Sequence, residues 1–387
     1  MTLLISTKRR KVALITNIIA PYRIPAFNKV SELAPFDFDV YFMAENESNR
    51  EWKVYKEKIR FNYKVLKGLH FVSKNERMIH INFGLTYYLT KKNYDLIAIG
   101  GWNQPCSYEA FLWAKLRRKK VLFFGESTLR DKRADNSIYE KIKQFLVKHS
   151  DGFIPAGNAA KEYYKYLGAP DEKIFIAPFC ADHHFFYNEY LRLKPLREEI
   201  KKKKGYQAIT ILYSGRFVWY KGIPYLLEAY NRLQKEIDDI ALILLGDGPE
   251  KKKYEDYVKN NNLKNVFFEG FIQQESLPEY YIASDIFVLP SLSETWGLVI
   301  NEAMAFGLPV ISTDAAGASY DLVKNGINGF VVKAGDSKEL YTALKILCEN
   351  PDLRIRMGEN SLGIIKEYTP ENWAKKFIFA INKILEN

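Results

Sequence analysis

Two carboxylates eight residues apart lie in segment 293–313. Glu294 falls in a predicted loop, and Glu302 falls inside a predicted helix, Leu298–Phe306, that is apolar on nearly every face and therefore predicted to be buried. A lone carboxylate there is costly unless it has partners. Because each carboxylate oxygen can accept from a separate hydroxyl, Glu302 suits the vicinal hydroxyls of a ribose and Glu294 those of a sugar. The alternative is that Glu302 bonds backbone amides or a nearby cation.

The loop between the two carboxylates opens the helix. The amides of Trp296, Gly297 and Leu298, which follow Thr295, form a helix N-terminus, and such an end favours phosphate. Trp296 could instead serve as a packing wedge. Together with the two carboxylates, this loop is predicted to hold a phosphorylated, hydroxyl-rich ligand.

Two cations occupy a second junction between a strand and a helix. A predicted strand ends at Gly215, Arg216 follows, and Lys221 comes five residues later, just before a helix with Pro224 near its first turn. Two cations at such a junction suit a diphosphate. The alternative is an ordinary surface pair.

Alternating strands and helices are predicted to position these groups. Each half of the chain contains six strand candidates. Those of the first half are Lys11–Thr16, Asp37–Phe42, Asp95–Ile99, Val121–Phe124, Gly152–Ile154 and Ile174–Ala177. Those of the second half are Ile209–Ser214, Ala241–Leu245, Val266–Glu269, Ile286–Leu289, Val310–Thr313 and Gly329–Val332.

This alternation of strands and helices predicts an α/β protein with two Rossmann-like, doubly wound parallel-sheet domains that face a cleft. The predicted domains are residues 1–190 and 191–370, and residues 371–387 form a last helix. The polar and basic stretch Leu193–Gly205 is interpreted as a linker or a solvated helix. Ligands bind at the carboxyl ends of parallel strands, so the two carboxylates and the two cations are all expected at the cleft.

The ordered set of motifs resembles glycosyltransferase family 4, the large retaining family with the GT-B fold. Glu294 and Glu302 match its E-x7-E motif, and Arg216 and Lys221 match its diphosphate-binding GR…KG pair. The segments LILLGDGPE and VFFEGFI also fit in order, and the matches cover most of residues 209–335.

The resemblance implies a catalytic function. Glu294 would position the donor sugar, Glu302 would hold the ribose, and Arg216 and Lys221 would neutralise the leaving diphosphate, while the backbone near Phe271 and Ile272 would meet the base. The enzyme would move a sugar from a UDP- or GDP-sugar to a glycan or lipid-linked acceptor in surface polysaccharide or glycoconjugate synthesis. Retention is implied, by front-face attack without a protein nucleophile. The last helix would cross back onto the first domain.

No metal or cofactor is expected. The one D-x-D motif, at Asp37–Asp39, opens a predicted strand and therefore lies at the amino end of its sheet, away from the cleft. His183 and His184 are assigned to packing or a hinge rather than to a metal site. The three cysteines, Cys106, Cys180 and Cys348, show neither a disulfide framework nor metal-ligand spacing, which indicates a reducing, cytoplasmic setting.

The first half departs from the family pattern. The turn at residues 16–28 has no glycine, and Glu126 stands where many relatives have a histidine. Glu126 is predicted to touch the sugar or the acceptor hydroxyl, with helix capping or an ion pair with Arg130 as alternatives. The acceptor side is assigned to three residues that follow strands, Asn17, Trp102 and Asn103.

Charge is distributed unevenly along the chain. Residues 1–190 carry 31 Lys and Arg against 20 Asp and Glu, so the whole net charge of +11 lies there. Such an excess suggests an acidic partner: an anionic membrane surface on its inner face, a lipid-linked diphosphate or nucleic acid; the alternative is a solvated basic face without a partner. No nucleic-acid-binding module is present and no run is long enough to span a membrane. The alternatives to a transferase are a nucleotide-sugar epimerase of the same fold or a basic protein that binds membranes or nucleic acid.

Overall fold

The computed structural model describes residues 9–48, 50–72, 78–131, 137–206 and 209–386. Short apolar runs form its strands, and amphipathic runs form its helices. The strands of the first half are β1 (Lys11–Ile18), β2 (Asp37–Ala44), β3 (Asn62–Val65), β4 (Gly68–Val72), β5 (Met78–Asn82), β6 (Leu96–Gly100), β7 (Lys120–Gly125) and β8 (Gly152–Pro155). Its helices are α1 (Ile24–Leu33), α2 (Leu85–Lys92), α3 (Pro105–Leu116), α4 (Ser137–Lys148) and α5 (Asn158–Tyr166).

The second half repeats this alternation. After α6 (His183–Leu193) and α7 (Arg197–Lys203), its strands are β9 (Ile209–Ser214), β10 (Ile240–Leu245), β11 (Val266–Gly270), β12 (Ile286–Leu289), β13 (Val310–Thr313) and β14 (Gly329–Val332). Its helices are α8 (Ile223–Leu233), α9 (Lys251–Asn260), α10 (Leu277–Ile282), α11 (Leu298–Ala305), α12 (Ser319–Leu322), α13 (Ser337–Glu349), α14 (Pro351–Ile365) and α15 (Pro370–Glu386).

Two six-stranded parallel sheets result. The first has the order β3-β2-β1-β6-β7-β8 and the second the order β11-β10-β9-β12-β13-β14. In both, the winding direction reverses beside the first strand, between β1 and β6 and between β9 and β12. Doubly wound sheets bind ligands at the carboxyl ends of strands flanking such a reversal. The prediction of two Rossmann-like parallel-sheet domains is confirmed.

The last helix joins the two halves. α15 follows α14 of the second half but packs on the first sheet, where the ring centroids of Phe27 and Trp373 lie 5.8 Å apart and those of Phe38 and Phe377 lie 6.2 Å apart. Trp373 and Phe377 are buried in the same apolar cluster as Val12 of β1. The predicted return of this helix to the first domain is therefore confirmed.

One sequence-based strand assignment was wrong, and one strand of the first sheet was missed. Ile174–Ala177 is not assigned as a strand; an isolated bridge joins Phe153 to Ile174, and the Ala177 N–H still donates to the Pro155 carbonyl at 3.2 Å, so the segment runs beside β8 without forming a regular ladder. The sixth strand of the first sheet is β3, which the sequence concealed because its residues Asn62, Tyr63 and Lys64 are exposed and carry no apolar run.

The basic stretch Leu193–Gly205 is also more than a linker or a solvated helix. It contains α7, from which Arg197 and Lys201 each form a 2.7 Å ion pair with Asp285 of the second half. Only 8% of the Lys201 side chain is exposed. Because its charge is paired, this cation can be buried, which the local sequence did not indicate.

Candidate active site

The loop after β12 fixes Glu294 through its backbone. The Glu294 N–H donates to the Ala315 carbonyl at 3.2 Å, and the Glu294 carbonyl accepts from the Gly317 N–H at 3.1 Å. Both partners lie beyond the end of β13, so two neighbouring loops at the carboxyl edge of the sheet hold this residue. The side chain therefore starts from a defined position at the edge where a ligand is expected.

Gly297 turns this loop into α11. Its φ of 102° lies in the left-handed region, and a Cβ there would lie 2.9 Å from Leu289 Cδ2 and 3.3 Å from Glu294 Cγ. Glycine is therefore required both by the dihedral and by the space beside Glu294. The start of α11 therefore lies next to Glu294. Its N-cap residue, Gly297, has no side chain that could bond the first backbone amides of the helix.

Glu302 has a partner that the sequence did not reveal. The Tyr281 hydroxyl, at the end of α10, donates to Glu302 Oε2 at 2.7 Å. Burial raises the pKa of Glu302 to about 7, and the hydrogen bond from Tyr281 partly opposes that rise. Tyr281 satisfies one carboxylate oxygen, so the alternative that backbone amides or a cation hold Glu302 is not what the structure shows.

The loop after β9 carries both predicted cations. Phe217, next to Arg216, donates its N–H to the Asp247 carbonyl at 2.8 Å. The loop after β10 therefore holds the loop after β9 in place through the backbone. At the far end Gly222 has a φ of 69°, and a Cβ there would lie 1.9 Å from the Pro290 carbonyl oxygen. Glycine thus brings the loop of Lys221 against the segment that leads to Glu294.

Lys221 and Glu294 form an ion pair in which the Lys221 ammonium donates to Glu294 Oε2. The side chains are only 14% and 13% exposed, so solvent screens this pair weakly. The predicted diphosphate-binding lysine and the predicted sugar-binding carboxylate are therefore in direct contact. They are 73 residues apart in the chain, so only the fold brings them together.

Arg216 differs from Lys221. It is partly exposed, and within the described residues its guanidinium makes neither a hydrogen bond nor an ion pair. The loop thus offers one cation held by a carboxylate and one with its donors open to a ligand, as a diphosphate site requires.

Trp296 is buried packing between the two halves. Its indole N–H donates to Asn301 Oδ1 at 3.0 Å, its ring contacts Phe179 at 6.3 Å, and it lies so close to Gly157 that a Cβ there would come within 2.4 Å. The side chain of Trp296 therefore matches the alternative prediction of a packing wedge. Its backbone, together with that of Thr295, belongs to the loop that precedes α11.

The predicted base-binding segment lies at the carboxyl end of β11. Phe271 is 40% exposed and Ile272 is partly buried. The next residue, Gln273, reaches the first half: its side-chain oxygen accepts from the Lys53 N–H at 3.3 Å, and its amide donates to the Glu51 carbonyl at 3.1 Å. This segment therefore faces the cleft from the second half.

The acceptor-side residues differ in their environment. Asn17 is partly buried at the end of β1, and its Oδ1 has no hydrogen bond within the described chain. Asn103 is exposed. Trp102, by contrast, is 4% exposed and stacks on Phe123 at 4.7 Å, so it belongs to the core and not to a ligand-lining surface. The position of Trp102 after a strand did not reveal whether its side chain would be buried in the core or line the candidate site.

Glu126 follows β7 at the same edge. Its charge is among the causes that raise the pKa of Tyr22, after burial as the main one, so Glu126 lies within electrostatic reach of the turn after β1. Its alternative partner, Arg130, instead forms a 2.6 Å ion pair with Asp314 of the second half.

Polar contacts across the cleft accompany that ion pair. Ser293 donates to Asp131 at 3.1 Å, and both the backbone and side-chain amides of Asn158 donate to Asp321, at 2.9 and 2.6 Å. These residues come from the edges of both sheets. Sequence reasoning missed them because nothing local marks a residue that meets a partner about 160 positions away.

The D-x-D segment lies where it was predicted. Asp39 is in the amino-terminal half of β2 and accepts hydrogen bonds from Tyr94 at 2.6 Å and Lys92 at 3.2 Å. In the parts of the chain that the structure describes, no group of three or more His, Cys, Asp and Glu residues has the arrangement of a metal site.

Comparisons with known proteins agree with this geometry. A sequence profile described as "Glycosyl transferases group 1" matches residues 196–362. An uncharacterised glycosyltransferase of Methanocaldococcus jannaschii is 31% identical over 250 residues, 63% of this chain and 68% of that protein. The chain belongs to the group 1 glycosyl transferases.

More distant matches extend the likeness. The alpha-D-kanosaminyltransferase of Streptomyces kanamyceticus is 32% identical over 205 residues, 52% of each chain, so the match spans about half the length of that relative. The crystal structure of Anabaena HepE in complex with UDP has the same fold, with a TM-score of 0.76 at 18% identity over 96% of this chain and 100% of that one.

Across the described ranges, every helix is either too short or too polar to span the apolar layer of a membrane.

Proposed function

We propose that this protein is a retaining glycosyltransferase that moves a sugar from a UDP- or GDP-sugar to a glycan or lipid-linked acceptor without a metal ion. The contact that carries the proposal is the buried pair of Lys221 and Glu294 beside the N-terminus of α11. In this proposal the lysine binds phosphate, the carboxylate binds sugar hydroxyls, and the backbone amides at the start of α11 lie beside both.

The reaction divides the roles among these groups. The bond between the sugar's anomeric carbon and the diphosphate oxygen breaks, and a bond to the acceptor hydroxyl oxygen forms. The hydroxyl proton passes to the departing phosphate, so no protein nucleophile is needed. Arg216, Lys221 and the amides at the start of α11 stabilise the charge that develops on that phosphate.

Metal independence rests on this positive charge. Two cations and a helix N-terminus at the predicted diphosphate position supply what a divalent ion would otherwise supply. Activity retained in excess EDTA is the expected result, and activity restored only by added Mg²⁺ or Mn²⁺ would reject this part of the proposal.

The activities of similar proteins support the donor and acceptor classes. These proteins include a kanosaminyltransferase and an O-antigen chain mannosyltransferase, and the HepE structure contains UDP. For this chain, Glu302 would grip the ribose, and the backbone at Phe271 and Ile272 would meet the base.

The test is thermal unfolding with UDP, GDP, ADP and dTDP in the presence of EDTA, for the parent and for Glu302→Ala. A ligand at about 100 times its Kd should add about 2.7 kcal/mol of stability. A shift with one nucleotide that Glu302→Ala loses would support the donor site and identify the base. No shift with any of the four would contradict it.

An epimerase of the same fold is the competing enzyme class. It would convert the nucleotide-sugar to its epimer without an acceptor, whereas the proposed transferase would release free nucleoside diphosphate only as sugar is transferred. Chromatography of donor incubated alone therefore separates the two.

We further propose that the protein works in the cytoplasm and contacts the inner face of an anionic membrane through its first half, which holds the whole net positive charge. Apolar side chains are exposed there: Leu116 on α3 is 85% exposed and Ile138 on α4 is 67% exposed. Exposed apolar groups among lysines and arginines suit an anionic lipid surface. Co-sedimentation with phosphatidylserine vesicles that salt abolishes is expected; no binding at low salt would exclude it.

A further inference from the structure

Arg23 is held in a fixed position at the carboxyl edge of the first sheet. It ends the turn after β1 and leads into α1. Its guanidinium carbon lies 5.6 Å from the ring centroid of Phe124 and 5.3 Å from that of Phe179, and its Nη1 donates to Thr16 Oγ1 at 3.1 Å. Two aromatic rings and one hydroxyl therefore orient a planar cation that is only partly exposed.

This cation has no ion-pair partner in the part of the chain that the structure describes. Within the same residues, the Nε of Arg23 is buried without a hydrogen-bond partner. Two other partly buried cations do have acids, since Lys221 pairs with Glu294 and Arg197 pairs with Asp285, whereas Arg216 resembles Arg23 in having none among the described residues. Holding a desolvated cation without an anion costs free energy, and a bound anion removes that cost.

Arg23 also lies beside the donor loop. Phe179, against which it stacks, contacts the ring of Trp296 and accepts a 3.2 Å hydrogen bond from Asn301 of α11. The first domain thus places a guanidinium next to the segment that carries Glu294 and the start of α11.

Further donors without a partner lie on the far side of Tyr22, whose ring centroid is 5.9 Å from the Arg23 guanidinium carbon. The Tyr22 and Trp52 rings are 6.1 Å apart, and the Arg50 guanidinium lies 5.0 Å from the Trp52 ring centroid. The Trp52 indole N–H and Arg50 Nε are buried without a hydrogen bond in the part of the chain described. Arg50 has one acid nearby, Glu47, with the closest atoms 3.8 Å apart. On this face of the cleft, three buried donors and one acceptor, Asn17 Oδ1, therefore lack a hydrogen-bond partner in the described chain.

We propose that Arg23 is an anion-binding residue of the first domain, which holds a phosphate-type group in the cleft opposite Arg216. The proposal rests on the proposed function, because that function supplies two sources of such a group: the donor's diphosphate and an anionic group on the acceptor. Either source would explain an oriented guanidinium that lacks a protein partner.

The decisive variants are Arg23→Met, which keeps the stem and removes the charge, and Arg23→Lys, which keeps the charge without the planar fork. Arg117→Met is the matched control, because Arg117 is an exposed arginine of the same domain whose guanidinium lies 5.8 Å from the Trp113 ring centroid. Thermal unfolding first establishes that each variant is folded; if Arg23→Met is not, Arg23→Lys is compared with the parent.

Two calorimetric titrations then separate the sources. In the first, UDP or GDP is added to each protein. In the second, inorganic phosphate is added to the free protein and to protein saturated with nucleotide. A charge-assisted hydrogen bond lost in Arg23→Met should weaken the affected affinity about tenfold or more, Arg23→Lys should recover part of it, and Arg117→Met should leave it unchanged.

Each outcome has a distinct meaning. Weaker nucleotide binding assigns Arg23 to the donor diphosphate, and weaker phosphate binding with unchanged nucleotide binding assigns it to the acceptor's anion. If neither affinity changes in a folded Arg23→Met protein, the proposal is wrong and Arg23 serves packing alone. If no nucleotide binds the parent, the proposed donor site fails, yet the phosphate titration of the free protein still decides the role of Arg23.

Discussion

The two sheet edges that face the cleft differ in how their polar groups are satisfied. On the second domain, Lys221 bonds Glu294 and Tyr281 bonds Glu302, and Arg216 is the exception, with no partner among the described residues. On the first domain, Arg23 Nε and the indole N–H of Trp52 are buried without an acceptor among the described residues, although Arg23 Nη1 donates to Thr16 Oγ1. The second edge is therefore organised by internal pairing, whereas the first offers donors that an anion can use.

This contrast suggests a division of work. A site that pairs its own charges holds its geometry at low cost and exchanges one partner for a ligand, while a site with unmatched donors gains most from binding an anion. The first kind suits a nucleotide-sugar of defined shape. The second suits a charged group that arrives with either substrate.

The largest effect is expected from breaking the buried pair on the second edge. Glu294→Gln keeps the shape and removes the charge, so it should lower transfer about 10²- to 10³-fold. It should also destabilise the fold, because Lys221 loses its partner in a poorly screened place.

A double-mutant cycle tests whether the pair acts as a unit. Lys221→Met, Glu294→Gln and the combined variant should give a coupling energy of about 0.5 to 3 kcal/mol in urea unfolding. Additive losses would show that the contact stabilises nothing, and the distinction between the two edges would then fail.

A smaller, pH-dependent effect is expected at Glu302. Burial raises its pKa to about 7, above the ordinary value of 4.5. Between pH 4.5 and about 7, Glu302 is ionised in the unfolded chain but still protonated in the folded one. The free energy of unfolding therefore falls as pH rises through this range. The stability of Glu302→Gln relative to the parent should accordingly increase from pH 5 to pH 8.

Nucleotide binding should show the opposite trend. Ribose hydroxyls donate to the ionised carboxylate, so the affinity of the parent for its nucleotide should rise as pH increases through about 7, and Glu302→Gln should show a flatter profile. Calorimetry at several pH values measures both proteins; parallel profiles would remove Glu302 from the ribose site.

The smallest effect is expected from the contacts that join the two edges. Arg130→Ala removes the exposed ion pair with Asp314, whose side chains are 48% and 39% exposed. Such pairs contribute about 0 to 1 kcal/mol, so the unfolding temperature should fall by only a few degrees and nucleotide affinity should change less than about threefold. A larger loss of affinity would mean that closure of the cleft, and not either edge alone, forms the site.

Part of the candidate site follows from local sequence features. Glu294 and Arg216 come soon after buried strands, so the apolar runs that precede them indicate that they lie at a carboxyl edge. The strands β3 and β4 were missed because their residues are largely exposed, and β5 was missed because its buried residues, His80 and Asn82, are polar.

The two parallel sheets and the loops that carry the candidate site residues can be inferred from the sequence, because periodicity, glycine and chain order are properties of neighbouring residues. Which groups meet depends on the three-dimensional packing of the chain. Lys221 and Glu294 are 73 residues apart, Tyr281 and Glu302 are 21 apart, and the rings around Arg23 come from β7 and from the segment before α6. Such partners are chosen by packing across the sheet edges, for which neighbouring residues carry no signal.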